Sequence, residues 1–417
     1  MARLLGWTFL AAVLLVAAGA TAQGPSLTLF RGARILTGDS RPPIENGALL
    51  VEGTRITRVG AAVTAPAGAT VVDLRGKTIM PAIVDGHSHL GYIDMRAGTT
   101  TAANYTRDNL LDHLRRYAYY GIAATLSLGL DRGELPYELR RDTLAGRPGD
   151  AARFLVAGRG IAWPDAGPNA DYWKDAAYGV TTEAEARAAV RELAAKKVDI
   201  VKIWVDDRNQ RVMPLPPSLY RPIIEEAHTR GLRVVAHVYY LADAKALLRA
   251  GIDGFAPGIR DQEVDDEILE LFRTRRHVFV MPNLPDTPAG TTARPALWAV
   301  QARSLPRLAA AGVTIAFGTD AGVGAPYGWA AHAELADMVA AGLTPAQAIV
   351  AATSTTAAVL GLEDLGSIAA GKGADFIVLD ANPLDDIGNT RRIAEVYLRG
   401  TRVNRERLRT AWPDISP

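Results

Sequence analysis

The strongest constraint on this chain is an alternation that fills its middle. Short apolar stretches of β character recur at 79–84, 122–128, 153–156, 198–205, 233–238, 254–256, 278–281 and 314–317, and helical patterns lie between most of them. Repeated strand–helix units build a parallel sheet, because the chain must cross back before it can pair again. Eight of them fit a (β/α)8 TIM-like barrel; alternation alone leaves a doubly wound open sheet as the second architecture. The helices carry their own punctuation. Thr182 and Glu185 make a capping-box pattern at the head of a helix to 197, with Val190, Leu193, Ala194 and Val198 on one face. Gly231 closes a helix over 218–230, and Thr344-Pro345 with Gln347 opens another with Pro at its first position.

The ends read differently. Short β-like stretches at 27–30, 48–52, 56–59 and 70–73 are separated by Gly, Pro and Asn, and similar ones return at 376–379 and 395–399. This predicts a small β-sandwich domain assembled from 23–78 and 365–417 around a barrel of 79–364. At the very start, Arg3 precedes an apolar run over 4–18 and then Gly19-Ala20-Thr21-Ala22-Gln23. A positive start, a short apolar run and a small-x-small site predict a secretory signal over 1–22, cleaved after Ala22; the run is short for a bilayer anchor. The mature chain is then expected to be periplasmic or secreted, without stable membrane association. The chain has no cysteine, which excludes a disulfide framework and thiolate metal ligands. Its formal net charge of +1, without a basic block, gives no reason to expect a nucleic-acid partner. Whether it forms a homo-oligomer is left open.

In a parallel barrel, reactive groups sit at the C-terminal ends of the strands. His87 and His89 follow the first stretch in Asp85-Gly86-His87-Ser88-His89, and in extended chain residues two apart face the same side. Two neutral imidazoles on one side make half a metal site, or simply a polar strand end. Lys202 lies mid-strand among apolar neighbours. Burial there lowers an amine's pKa and favours the neutral nucleophile, which can take up carbon dioxide as an anionic carbamate. The plainer alternative is a lysine that snorkels to the strand end or pairs with Asp206. His237 ends the fifth stretch and Asp320 the eighth; taken singly, one is a core histidine and the other a turn cap. Together the four positions fall at one end of one barrel, and their donors are of a kind zinc accepts.

From about Leu27 to Arg405 the sequence resembles the amidohydrolase superfamily, and within it the imidazolonepropionase-like and prolidase-like members. The motifs are Gly32-Ala33-Arg34-Ile35-Leu36-Thr37, the run from Thr78 through Asp85-Gly86-His87-Ser88-His89, and Gly366-Ser367-Ile368 onward to Asp380. The resemblance implies a metal-dependent hydrolase. His87, His89 and Asp320 would hold one divalent ion. Carboxylated Lys202 would bridge to a second, held also by His237 and by a histidine after the sixth strand. Here the chain departs from the pattern, because Pro257 stands where that histidine belongs. A proline nitrogen has nothing to donate to a metal. The second ion is therefore weakly held or absent.

Asp320 would orient the attacking water and move its proton. His237 would serve as ligand or hydrogen-bond donor. If one ion is missing, Tyr239, Tyr240 or Arg260 would help polarise the carbonyl. Arg260, Arg159 and Lys174 are candidates for a substrate carboxylate, and Tyr172, Trp173 and Trp163 for an apolar wall. His113, His228 and His277 read as structural, and His332 as either pocket or helix packing. The expected activity is hydrolysis of a carbon–nitrogen amide bond in an N-acyl amino acid, dipeptide or cyclic amide. Two alternatives stand beside it. One is a mononuclear deaminase-type hydrolase, against which Lys202 speaks. The other is a catalytically inactive exported binding protein, for which Pro257 speaks.

Overall fold

The computed structural model describes residues 26–168, 170–284, 295–323 and 326–412. The leader expected at 1–22 lies outside the described residues. All eight expected barrel strands form: Ile83–Ser88, Ile122–Ser127, Arg153–Val156, Val201–Val205, Val234–Val238, Gly254–Phe255, Phe279–Val280 and Thr314–Ile315. The first three make one parallel ladder and the last five a second, in chain order. Backbone hydrogen bonds join the two ladders. Asp199 N donates to Val156 O (2.9 Å) on one side; Gly86 N donates to Phe317 O (3.0 Å) and His89 N to Ala321 O (2.7 Å) on the other. The strands thus run round a barrel and leave no open doubly wound sheet.

Three details differ from the sequence reading. The stretch at 79–84 is not one strand. Thr78–Pro81 belongs to the sheet built by the chain ends, and the barrel strand starts at Ile83. Pro81 has no N–H to donate, so the ladder ends there and the chain passes from one sheet to the other. Two three-residue strands, Gly160–Ala162 and Ala177–Gly179, join the second ladder beside the fourth barrel strand. Segments that short carry no readable periodicity. Val198 is not helical: Glu183–Ala195 ends before it, and Lys197 turns into the left-handed region at φ 59°. Both capping boxes form as read, Thr182 with Glu185 and Thr344 with Gln347.

The chain ends build one eight-stranded sheet. Leu27–Ile35 pairs with Ile44–Glu52 on one side and with Thr70–Asp73 and Thr78–Pro81 on the other. Phe376–Leu379 then adds to Thr78–Pro81, and Ile393–Leu398 to Phe376–Leu379. Its own core centres on Phe30, Phe376 and Tyr397, with ring centroids 4.8–5.1 Å apart. Among the described residues no helix is long and apolar enough to cross a membrane.

The sheet is tied to the barrel by charge. Arg153, on the third barrel strand, donates two hydrogen bonds to the Asp375 carboxylate at 2.7 and 3.1 Å, and Asp375 is 4% exposed. Removing one partner of such a pair strands the other in a medium that solvates it poorly. Arg153→Ala should therefore destabilise the protein by about 3–5 kcal/mol, read from a denaturant titration. A second expectation concerns acid. Burial pushes the His113 and His332 imidazoles down to about 4. The unfolded chain, with histidines near 6.5, binds those protons more readily. Stability should hold above about pH 6.5 and decline as pH falls toward 4, as urea midpoints across that range would show.

Candidate metal centre

The seam between the eighth and first barrel strands makes the site. Thr319 N and Asp320 N both donate to His87 O, at 3.1 and 2.8 Å. Asp85 clamps the same point: its Oδ1 accepts from His87 N (3.1 Å) and Thr319 N (3.0 Å), and its Oδ2 from Thr319 Oγ1 (2.7 Å). Gly318 lets the strands meet, since a Cβ there would lie 2.7 Å from His87 Cβ. Asp320 itself sits at φ 54°, a left-handed conformation uncommon for a residue with a side chain. The cost of that backbone is accepted where the carboxylate is aimed at His87 and His89.

The result is a group of three donors. His87 Nε2 and His89 Nε2 are 3.3 Å apart, and Asp320 Oδ1 lies 3.3 Å from the first and 3.0 Å from the second. All three could bind one metal ion. His87 Nδ1 lies 3.0 Å from Asn283 Oδ1. That amide oxygen can only accept, so Nδ1 carries the proton and Nε2 keeps its lone pair for the cradle. Asp320 Oδ1 has no hydrogen-bond donor among the described residues although it is shielded from solvent. Converging lone pairs with an unsatisfied carboxylate oxygen fit a divalent cation. Burial holds the His87 imidazole well below its usual pKa, so the ring is neutral, as a ligand must be. Burial would raise the Asp320 carboxyl, but His87, His89 and Lys202 overrule it and hold it far below the carboxylate range.

Lys202, His237, Tyr239 and Arg260 line the same cavity of about 400 Å3 as the cradle. Lys202 is 1% exposed, and burial brings its amine down to about 7 against the pull of Asp320. It does not pair with Asp206; its Nζ donates to the carbonyl of Ala256, the residue before Pro257. Asp206 instead sits 2.9 Å from His237 Nε2 and 3.1 Å from an Arg208 amino nitrogen. Burial lowers the His237 imidazole to about 3 despite that carboxylate. His237 therefore stays neutral and is held outside the three-donor group. Trp173 and Trp204 form an apolar wall with Leu130. Tyr240 is turned away, its hydroxyl donating to Asp207 (2.9 Å).

Other sequence candidates lie elsewhere. Arg159 stacks over Tyr178 at 4.0 Å and Lys174 pairs at the surface with Asp171. His332 packs between Thr390 and the Tyr120 carbonyl, and His113 stacks on Tyr327 at 3.9 Å, so both are structural. His228 bonds Asp253 at 2.8 Å, with His277 3.8 Å from the same carboxylate. Asn283 and Asp85 escaped the sequence reading as site residues. The available signal was position: Asn283 follows the seventh barrel strand at its C-terminal end.

The Amidohydrolase family model matches residues 78–403. The chain belongs to that family. An amidohydrolase is a hydrolase of carbon–nitrogen bonds, and members generally bind divalent metals. Among curated relatives, the chain is similar to ochratoxinase of Aspergillus niger (26% identical, covering 88% of this chain and 84% of the relative). It is also similar to imidazolonepropionase of Deinococcus radiodurans (28% identical, 86% and 92%). Among solved structures, a putative prolidase from Bifidobacterium longum superposes with a TM-score of 0.76 at 26% identity, covering 93% of this chain and 99% of that one.

If Asn283 fixes the His87 tautomer, removing its amide should loosen the cradle. Asn283→Ala is expected to weaken divalent-metal binding 10–100-fold by calorimetry, on the order found for other supporting residues of metal sites.

Proposed function

We propose that this amidohydrolase cleaves an amide bond of an N-acyl amino acid, dipeptide or cyclic amide, using one divalent ion held by His87, His89 and Asp320. The observation that carries the reading is the convergence of three ligand atoms within 4.8 Å of one another on the floor of a cavity. The donor set, two imidazoles and a carboxylate, suits zinc. Such a cation, when bound, supplies Lewis acidity and lowers the pKa of water.

The chain's own residues do the rest. Asp320, 32% exposed at the cavity floor, is ionised and takes the proton of the attacking water. The proton then goes to the leaving nitrogen. His237, neutral and anchored by Asp206, presents a hydrogen-bonding edge to the substrate. Lys202 and His237 are the remaining donors for a second ion, but their contacts are met by Ala256 O and Asp206, and Pro257 adds no ligand. That favours one ion. It does not favour an inert binding protein, because the nucleophile's cradle is intact. The apolar run over 4–18 supports export to the periplasm or medium, where such an enzyme would meet its substrate.

Asp320→Ala should abolish turnover of an acyl-amino-acid and dipeptide panel while the far-ultraviolet circular dichroism stays native. Retained turnover would refute the role of Asp320. Ammonia as the released product would point instead to deaminase chemistry.

A further inference from the structure

Among the described residues, the shielded arginines other than Arg260 each have a carboxylate or carbonyl acceptor. Arg153 has Asp375, Arg140 has Asp199 and Arg208 has Asp206; Arg405 is satisfied by the carbonyls of Tyr119 and Ile393. Arg260 is different. It lines the cavity beside the cradle, and its Nε is shielded without a partner, as are those of Arg159, Arg208 and Arg399; unlike theirs, its amino nitrogens have no carboxylate or carbonyl acceptor among the described residues. No carboxylate among the described residues pairs with it. Among the described residues, the one side chain within hydrogen-bond distance of it is His237, whose Nε2 lies 3.2 Å from an amino nitrogen. Asp206 Oδ2 is 2.9 Å from that same ring nitrogen. A neutral imidazole nitrogen either donates or accepts, not both. An ionised carboxylate makes the stronger bond, so Nε2 carries its proton toward Asp206 and offers Arg260 nothing.

The guanidinium is nevertheless held in place. Arg260 N donates to Tyr239 O at 3.0 Å, and its Cζ lies 5.5 Å from the Tyr239 ring centroid. Desolvating a guanidinium without an anion is costly. A site that fixes such a group in an open cavity is incomplete until the ligand brings the missing charge. The cavity's two carboxylates do not serve: Asp206 is engaged by His237 and Arg208, and Asp320 aims its unpaired Oδ1 into the metal cradle, 3.0 Å from His89 Nε2.

We infer that Arg260 is the substrate-recognition residue of this cavity and selects amides that carry a free carboxylate, bound through its planar donor edge. This rests on the proposed hydrolase reading and names its substrate class. A planar carboxylate matches the guanidinium fork with two parallel hydrogen bonds, which a neutral amide or ester cannot make. Trp173 and Trp204 then face the apolar part of the same ligand.

The test compares N-benzoylglycine with its neutral counterpart N-benzoylglycinamide. Binding is measured by calorimetry on the full-length Asp320→Ala chain, so that it does not depend on turnover. The carboxylate is expected to bind on the order of 100-fold more tightly, as for a desolvated charge pair. Adding Arg260→Gln should abolish that ratio, and Arg260→Lys should restore part of it. Equal binding of the two compounds, or a ratio that survives Arg260→Gln, would overturn the inference. Failure of the hydrolase reading looks different: the carboxylate preference would persist in binding while the unaltered chain cleaved no amide. A misfolded Arg260→Gln chain is identified by its thermal transition, and Arg260→Lys then decides the matter by keeping or losing the preference.

Discussion

The site depends on one clasp, the hydrogen bonds by which Asp85 and the His87 carbonyl hold Thr319 and Asp320. These residues are separated by more than two hundred positions, and the seam between the first and last barrel strands is where they meet. A parallel barrel has to close somewhere, and closure costs chain entropy that the seam must offset. Here the closing bonds also aim the ligands. The clasp fixes the register of the eighth strand against the first, and with it the spacing of His87, His89 and Asp320. The left-handed backbone of Asp320 and the glycine at 318 follow from the same requirement, since both let a carboxylate approach two rings already packed in the core.

Electrostatics divides the cavity into two halves. In one, burial keeps His87 neutral while the surrounding imidazoles and Lys202 keep Asp320 ionised. In the other, Asp206 is spent on His237 and Arg208, which leaves the guanidinium of Arg260 in excess. The contrast is one of pairing rather than of residue type. Both halves contain acids and bases; what differs is which charges have found partners inside the protein.

Much of the fold was legible in the sequence because it rests on local patterns. Strand-length apolar runs, Gly231 after a helix and the Thr182/Glu185 box are read from neighbours a few residues apart, and all reappear in the structure. The change of sheet at Pro81 and the three-residue strands after Val156 were not legible, because the pairing partner, not the segment, makes them strands. Among site residues, His87, His89 and Asp320 were readable as strand-end donors. Asn283 was not, since an asparagine after an apolar stretch looks like a turn until His87 is seen beside it.

The sequence by itself determined the eight strand–helix units, the β-rich ends that make a second sheet, and the placing of ligand types at strand ends. Those are consequences of residue-level periodicity and of where side chains point along an extended chain. The tertiary structure alone decided the pairings: that Lys202 bonds the Ala256 carbonyl and not Asp206, that Asp206 belongs to His237, and that Arg260 is left without an anion. Partner choice is a competition among groups distant in sequence for a few acceptors inside one cavity. Its outcome depends on separations of a fraction of an ångström that local pattern does not encode.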